Sequence, residues 1–277
     1  MRIQSWNIQS TRGCDGRFDA VRIADVLKTD GIGDVICLQE VSRWFADYGG
    51  DDQLAFFSEA FPDHLAIWGP VMSRKPKGQG RREFGNLTLV RPELLEDYRL
   101  HLLPEPVVNG VYQMPRGCVE VRLRYKGDVL SILNTHLAYH SQGERVAQVR
   151  FLTELKRNGL GRYMANRAQS GQAAYEVLVD PKHYILCGDL NLTPDSRDYE
   201  VLTQEGMWQD SWTHLYAETA HAPTCGIFDQ DQWGEGPHCR DFFFVTPELT
   251  NDLEKMYVNQ QTDASDHQPI YLEIREE

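Results

Sequence analysis

Polar side chains able to bind a cation recur at the ends of apolar runs in this chain. Ile3-Gln4-Ser5-Trp6-Asn7 ends in an amide, and Asp34-Val35-Ile36-Cys37-Leu38-Gln39-Glu40 ends in a carboxylate. Leu130-Ser131-Ile132-Leu133-Asn134-Thr135-His136 ends in an imidazole, and Tyr184-Ile185-Leu186-Cys187-Gly188-Asp189-Leu190-Asn191 in a carboxylate and an amide. Ser265-Asp266-His267 precedes a last apolar run, Gln268 to Ile274. Groups at the tips of rigid strands are held in fixed geometry. An oxygen-rich set of this kind suits a hard divalent cation such as Mg2+ or Mn2+. Such a cation facing a phosphate polarises it and lowers the pKa of bound water. Each residue alone has a plainer reading. Asn7 fits a turn amide, Glu40 a solvated strand end, His136 a satisfied core histidine, Gly188 to Asn191 a tight turn, and Asp266-His267 a cap or surface pair. The weight lies in their number and order.

The elements that must carry these tips are mostly strands. Strand-like runs cover 2–8, 34–38, 64–68, 86–90, 117–125, 129–135, 183–188, 240–245 and 268–274. Several alternate, as in Cys118-Val119-Glu120-Val121-Arg122-Leu123, which reads as a half-buried strand. Helical spacing appears at 18–28, with Gly31 as the stop, and at 144–158, closed by Gly159; a third helix is expected within 162–178. Many strands, fewer helices and no linker predict one domain over 1–277 of the α+β class, with two sheets face to face and helices outside.

Composition sets bounds. The chain has 277 residues, of which 41% are hydrophobic and 25% charged, ordinary for a globular protein and unlike a collagen, coiled coil or disordered chain. No run is long enough to span a membrane as a helix. The net charge of −13 argues against a non-specific nucleic-acid coat but not against a site that recruits cations. Six cysteines form no CxxC pair, and the first residues lack the apolar core of a secretory signal, so a reducing, cytoplasmic compartment is expected.

Taken in order, SWNIQS, DVICLQEVS, FGNLTLV, PRGCVEV, LNTHLAYHS, LCGDLNLTPDS, RDFFFV and SDHQPI resemble the endonuclease/exonuclease/phosphatase superfamily of metal-dependent phosphoesterases, related to pancreatic-type deoxyribonuclease. The resemblance runs from residue 5 to residue 270. It implies a four-layer α/β sandwich with two central, mostly antiparallel sheets flanked by helices. It also implies roles: Glu40 as principal metal ligand with Asn7 and Asp266 beside it, and Asp189 orienting or deprotonating the attacking water with Asn191. His136 and His267 would bracket the phosphate, with Asp241 orienting His267. Whether His267 or Asp189 is the base, and whether one metal binds or two, stays open. Cys239-Arg240-Asp241-Phe242 departs from the Arg-Ile-Asp-Tyr common in the family, so Asp241 is carried over and Arg240 is not. Asn86 is a weaker candidate, because Thr88-Leu89-Val90-Arg91 replaces the usual serine-arginine pair.

The expected activity is Mg2+- or Mn2+-dependent hydrolysis of a phosphoester, with a nuclease-like phosphodiesterase ahead of action on sugar or inositol phosphates or phospholipid head groups. A catalytically dead binder of the same fold is the non-enzymatic alternative. Arg74, Lys75, Lys77, Arg81 and Arg82 form a basic loop that either contacts phosphate or is simply solvated. Arg116 either touches phosphate or is a pre-strand turn residue. Trp44, Phe45 and Tyr48 either stack on a base or sugar or pack. His214, His221, Cys225, His238 and Cys239 match no usual zinc spacing, and their segment reads better as a substrate-facing loop.

Overall fold

The computed structural model describes residues 1–78, 80–165, 172 and 179–276. Its strands are β1 (Arg2–Asn7), β2 (Val35–Arg43), β3 (Leu65–Arg74), β4 (Arg82–Val90), β5 (Leu95–Leu102) and β6 (Gly117–Tyr125). They continue with β7 (Asp128–His136), β8 (His183–Asp189), β9 (Gln209–Asp210), β10 (Asp241–Val245), β11 (Leu253–Val258) and β12 (Ile270–Ile274). They form two six-stranded sheets, ordered β11-β12-β1-β2-β4-β3 and β5-β6-β7-β8-β10-β9. All neighbours are antiparallel except β1 with β2 in the first sheet and β7 with β8 in the second.

The central strands bury both faces, which is why their sequences are nearly continuous apolar runs rather than alternations. Val35 and Cys37 of β2, Ile185 and Cys187 of β8, and Phe243 and Val245 of β10 point into one core between the sheets. Their neighbours Ile36 and Leu38, Tyr184 and Leu186, and Phe242 and Phe244 point outward under helices. Helices α1 (Ala20–Thr29) and α2 (Gln53–Ala60) cover the first sheet, while α3 (Gln142–Met164) and α4 (Arg197–Thr203) cover the second, giving four layers. A short α5 (Ser211–Tyr216) packs beside β10 and β11. Each helix opens on a side-chain cap (Asp19, Asp52, Ser141, Ser196, Asp210) whose oxygen accepts an otherwise orphaned backbone N–H.

Two expectations need correction. Gly159 does not close α3, which runs on to Met164. A β-carbon there would lie 1.7 Å from the Tyr184 hydroxyl, so the glycine serves close helix–sheet approach rather than a stop. β6 is not half-buried: Glu120 and Arg122 on its outer face are covered, and Glu120 accepts from Ser131 and Arg122 Nε and pairs with His101 Nε2. The helix expected within 162–178 overlaps only the end of α3, and most of that range lies outside the described residues.

Candidate active site

The two parallel pairs explain the convergence of the site. Parallel neighbours end at the same edge of a sheet, so Asn7 lies beside Gln39, one residue before Glu40, and His136 lies beside Asp189. Stacking the sheets then joins the two edges. The Asn7 Nδ2 donates to Glu40 Oε1 at 3.0 Å in its own sheet and to Asp189 Oδ2 at 2.9 Å in the other.

The backbone is unusual where it presents these groups. β2 breaks register between Leu38 and Val41, and Glu40 there has φ of 56°. A glutamate in the left-handed region is strained, a feature that concentrates at functional sites. Asn191 has φ of 51°, which asparagine tolerates better, and its backbone N–H donates to Asp189 Oδ1 at 2.9 Å. At Gly188, φ is 131° and a β-carbon would lie 1.8 Å from the Thr135 carbonyl oxygen, so only glycine lets β8 turn Asp189 into the site.

These tips surround a cavity of about 310 Å³. Glu40, Arg116, His136, Asp189, Asn191, Asp266 and His267 line it, joined by Gln9, Tyr139, Gln232 and Trp233. Asp241 stands behind His267, whose Nδ1 donates to Asp241 Oδ2 at 2.8 Å; the Thr224 hydroxyl donates to the same oxygen at 2.6 Å. The His267 Nε2 is left facing Asp189 Oδ2 at 3.6 Å. Asp266 accepts from Gln232 Nε2 at 2.6 Å and Trp233 Nε1 at 3.2 Å.

The surroundings shift the two imidazoles in opposite directions. Burial disfavours charge on His267, but the Asp241, Asp189 and Asp266 carboxylates outweigh it and hold its pKa well above the ordinary range. Burial, reinforced by the Arg116 charge, pushes His136 down to about 3. Its Nε2 lies 2.9 Å from Asn191 Nδ2 and 3.2 Å from Asp189 Oδ2, while its Nδ1 is buried without a hydrogen bond, 3.9 Å from Glu40 Oε1. Asp189 is held below the ordinary carboxylate range despite burial, by the neighbouring His136 and His267 imidazoles and by hydrogen bonds from Asn7 and the Asn191 N–H. Burial raises Asp241 to about 6 against the pull of His267. Burial and the neighbouring Asp266 raise Glu40 to about 7, and burial raises Asp266. Glu40 and Asp266 thus form a pair of mutually repelling carboxylates at the cavity wall.

Asp189, Asp241 and His267 also lie close enough to hold an ion, with ligand atoms within 4.8 Å of one another. The hydrogen bonds of Asp241 to His267 and Thr224 are already made there, so this trio fits an orienting chain better than a cation cage. Glu40 and Asp266 face the open cavity and suit a hard cation. Asn7 turns its nitrogen toward the carboxylates and its oxygen to the Gln9 N–H at 3.0 Å, so it acts here as a bridge.

Eight of the sequence-derived residues therefore converge, with Arg116 as a ninth. Asn86 does not join them: its amide donates to the Gly117 carbonyl at 3.0 Å, between β4 and β6. Arg81 donates to the Ser73 hydroxyl at 2.7 Å, and Arg82 lies over the Phe45 ring; neither lines the cavity. Phe45 packs, while Trp44 and Tyr48 stay partly exposed. Cys225 touches His238 at 3.3 Å, but among the described residues no third ligand joins them. The segment holding them supplies Gln232 and Trp233 as cavity wall. Gln9, Tyr139, Gln232 and Trp233 went unread as individual residues because glutamine and aromatic side chains in loops carry no spacing signal.

The profile of the Endonuclease/Exonuclease/phosphatase family matches residues 5–267. An inositol phosphosphingolipids phospholipase C of Schizosaccharomyces pombe is 23% identical over 154 residues, which is 53% of this chain and 32% of that protein; the chain thus matches about a third of that relative's length. An endonuclease/exonuclease/phosphatase structure from Beutenbergia cavernae superposes with a TM-score of 0.70 at 20% identity, covering 98% of this chain and 70% of the other. The mannosyl-6-phosphatase Bt3783 of Bacteroides thetaiotaomicron gives 0.69 at 21% identity, covering 99% of each chain. At these identities the structural likeness establishes the fold alone.

Proposed function

Because the chain belongs to the endonuclease/exonuclease/phosphatase family, whose members hydrolyse phosphoesters, we propose that it is a divalent-metal-dependent phosphoester hydrolase acting on a small phosphorylated molecule. The observation that carries this reading is the convergence of two imidazoles on Asp189, with His136 Nε2 at 3.2 Å and His267 Nε2 at 3.6 Å from its Oδ2, in a cavity also lined by the Glu40 and Asp266 carboxylates.

Glu40 and Asp266 would hold Mg2+ or Mn2+, with Asn7 bracing Glu40. The repulsion of these two carboxylates fits that role, and an ion there would supply Lewis-acid polarisation of the phosphoryl oxygen. The chain's own groups do the rest. Asp189, fixed by Asn7 and the Asn191 N–H, orients the attacking water and accepts its proton. His267 donates from Nε2 to a non-bridging oxygen as negative charge builds, with the His136 imidazole on the other side of Asp189. Arg116 adds a cation on the same side. Asp241 fixes the His267 tautomer and supports its charge.

A cavity walled by Tyr139, Gln232 and Trp233, in a chain of net charge −13, favours a small substrate over duplex nucleic acid. A second reading, cleavage of a nucleic-acid phosphodiester, draws on Trp44 and Tyr48, exposed at 41% and 38% on the segment after Glu40. The six free cysteines fit a reducing, cytoplasmic setting. The test is hydrolysis of bis-p-nitrophenyl phosphate, sugar and inositol phosphates, nucleotides and phospholipids with Mg2+ or Mn2+, each with and without chelator. Chelator-sensitive turnover of small esters supports the proposal. Turnover of polynucleotide alone supports the second reading, and no turnover of any ester supports a binder without chemistry.

A further inference from the structure

Strand β5 ends its sheet, and among the described residues β6 is its one hydrogen-bonded neighbour. The pairing runs unbroken from Asp97 opposite Arg122 to Leu102 opposite Gly117. The Leu103 N–H continues it by donating to the Arg116 carbonyl at 2.9 Å. Backbone polar groups alternate sides along a strand. Asp97, Arg99 and His101 therefore turn theirs toward β6, as Leu103 does. Tyr98, Leu100 and Leu102 turn theirs to the open edge.

An open edge is a template for a further strand, and proteins usually blunt it with charge, proline or a covering element. These three positions instead carry large apolar side chains, and Tyr98, Leu100 and Leu102 are 52%, 50% and 70% exposed. β5 holds no proline. Leu100 and Leu102 also line an open cleft of about 230 Å³ against Pro70 and Val71 of β3, the last strand of the other sheet. Both sheets thus end on one side of the molecule in apolar surface that nothing among the described residues covers.

The charged residues on the opposite face of β5 select the occupant. A second copy can pair antiparallel about a two-fold axis normal to the sheet, which brings like faces of the two strands side by side. Three registers keep the open edges paired, with the axis at Tyr98, Arg99 or Leu100. An axis at Arg99 sets two guanidinium groups against each other, and one at Leu100 sets Arg99 against His101. An axis at Tyr98 sets Asp97 of each copy against Arg99 of the other, twice over. These would be non-hydrogen-bonded pairs, in which opposed side chains lie closest. Both side chains are free to respond. Asp97 Oδ1 is buried without a hydrogen bond, with Arg122 Nε 3.5 Å away, and Arg99 approaches the Asp97 of its own chain only to 4.0 Å. A lipid surface would accept the apolar residues but would leave this acid–base match unused.

We infer that β5 is a homodimer interface, in which two copies join edge to edge about an axis at Tyr98 and merge their β5-containing sheets into one. None of its residues lines the catalytic cavity, so the interface is separate from the chemistry.

Sedimentation velocity of the full chain over about 1–100 µM tests this. Wild type should dimerise within that range. Arg99→Asp places acid against acid at both pairs and should raise the dissociation constant at least about tenfold. Asp97→Arg should do the same, and a mixture of the two variants should regain a dimer, because each pair again opposes acid and base. Cross-linking reads the register directly. With copper–phenanthroline, Tyr98→Cys should form a disulfide-linked dimer, whereas Leu102→Cys and wild type should not. Tyr98 and Leu102 are exposed, so these two variants keep the fold, and a thermal melt checks every variant. Should Asp97→Arg unfold beside Arg122, Arg99→Asp and the two cysteine variants decide the matter. A monomer throughout the range, a dimer that survives Arg99→Asp, or equal cross-linking through Leu102→Cys overturns the inference. So does a monomer that co-sediments with phosphatidylcholine vesicles, which would assign the strand to a lipid surface.

Discussion

Replacing Asp241 with asparagine isolates the charge behind His267. The Asp241 Oδ2 accepts from both His267 Nδ1 and the Thr224 hydroxyl, while Oδ1 is buried without a partner. An asparagine that places its carbonyl at the Oδ2 position keeps both hydrogen bonds and removes only the negative charge. At 2.8 Å and an effective dielectric near 20, the gross attraction to an imidazolium is about 6 kcal/mol. Desolvation and the remaining Asp189 and Asp266 charges offset much of this. The net worth of a charged hydrogen bond, about 1.5–3 kcal/mol, is the better guide. If that stabilisation is expressed in the transition state, kcat falls by roughly ten- to a hundredfold, at about 1.4 kcal/mol per decade. The new amide NH2 sits where no acceptor lies, so some stability is lost as well, on the order of 1–3 kcal/mol. The assay is steady-state hydrolysis of bis-p-nitrophenyl phosphate at saturating Mn2+, with a thermal melt confirming that the variant is folded. A folded Asp241→Asn protein with kcat within twofold of wild type would refute the role given to this charge; so would a rise confined to KM.

Three further outcomes are expected. Glu40→Gln removes a carboxylate from the proposed cation site and should weaken Mn2+ binding, read by calorimetry, by at least about tenfold, with turnover falling alongside; near-normal affinity would remove Glu40 from that site. Glu120 is pushed down to about 2, where burial is outweighed by the His101 and Arg122 hydrogen bonds, from an ordinary value of 4.5. Its folded pKa lies below the unfolded one, so its contribution, on the order of 3 kcal/mol, is fully present above pH 4.5 and lost as pH falls toward 2. Urea unfolding should show Glu120→Gln with a shallower acid limb than wild type, and identical slopes would contradict this. Gly159→Ala should destabilise the protein even though alanine favours helix by about 1 kcal/mol, because the added carbon meets Tyr184; denaturant melts showing a gain would refute the close packing.

Much of this arrangement was legible because the chemistry sits at strand ends and the central strands bury both faces. VICL, YILC and FFFV are unmistakable as apolar runs, and the residues that follow or open them are the site: Glu40, Asp189 and Asp241. The less legible parts follow other rules. β5, with sequence LEDYRLHL, is an edge strand that leaves Tyr98, Leu100 and Leu102 about half or more exposed, so it reads as neither core nor loop. α2, α4 and α5 are eight residues or fewer, too short for a clear period. Asn86 shared the strand-end pattern but points to Gly117, because which face a polar residue takes depends on sheet pairing rather than on its own type. The cavity wall of Tyr139, Gln232 and Trp233 depends on loop conformation, which local sequence encodes weakly.

The central claim is that Glu40 and Asp266 cage a divalent ion beneath two imidazoles poised for a phosphate. Anomalous diffraction at the manganese edge from crystals soaked in Mn2+ tests it most directly. A peak within coordination distance of the Glu40 and Asp266 carboxylates, with His136 and His267 facing the same space, is the predicted result. A peak seated instead among Asp189, Asp241 and His267, or none in the cavity at saturating Mn2+, would contradict it.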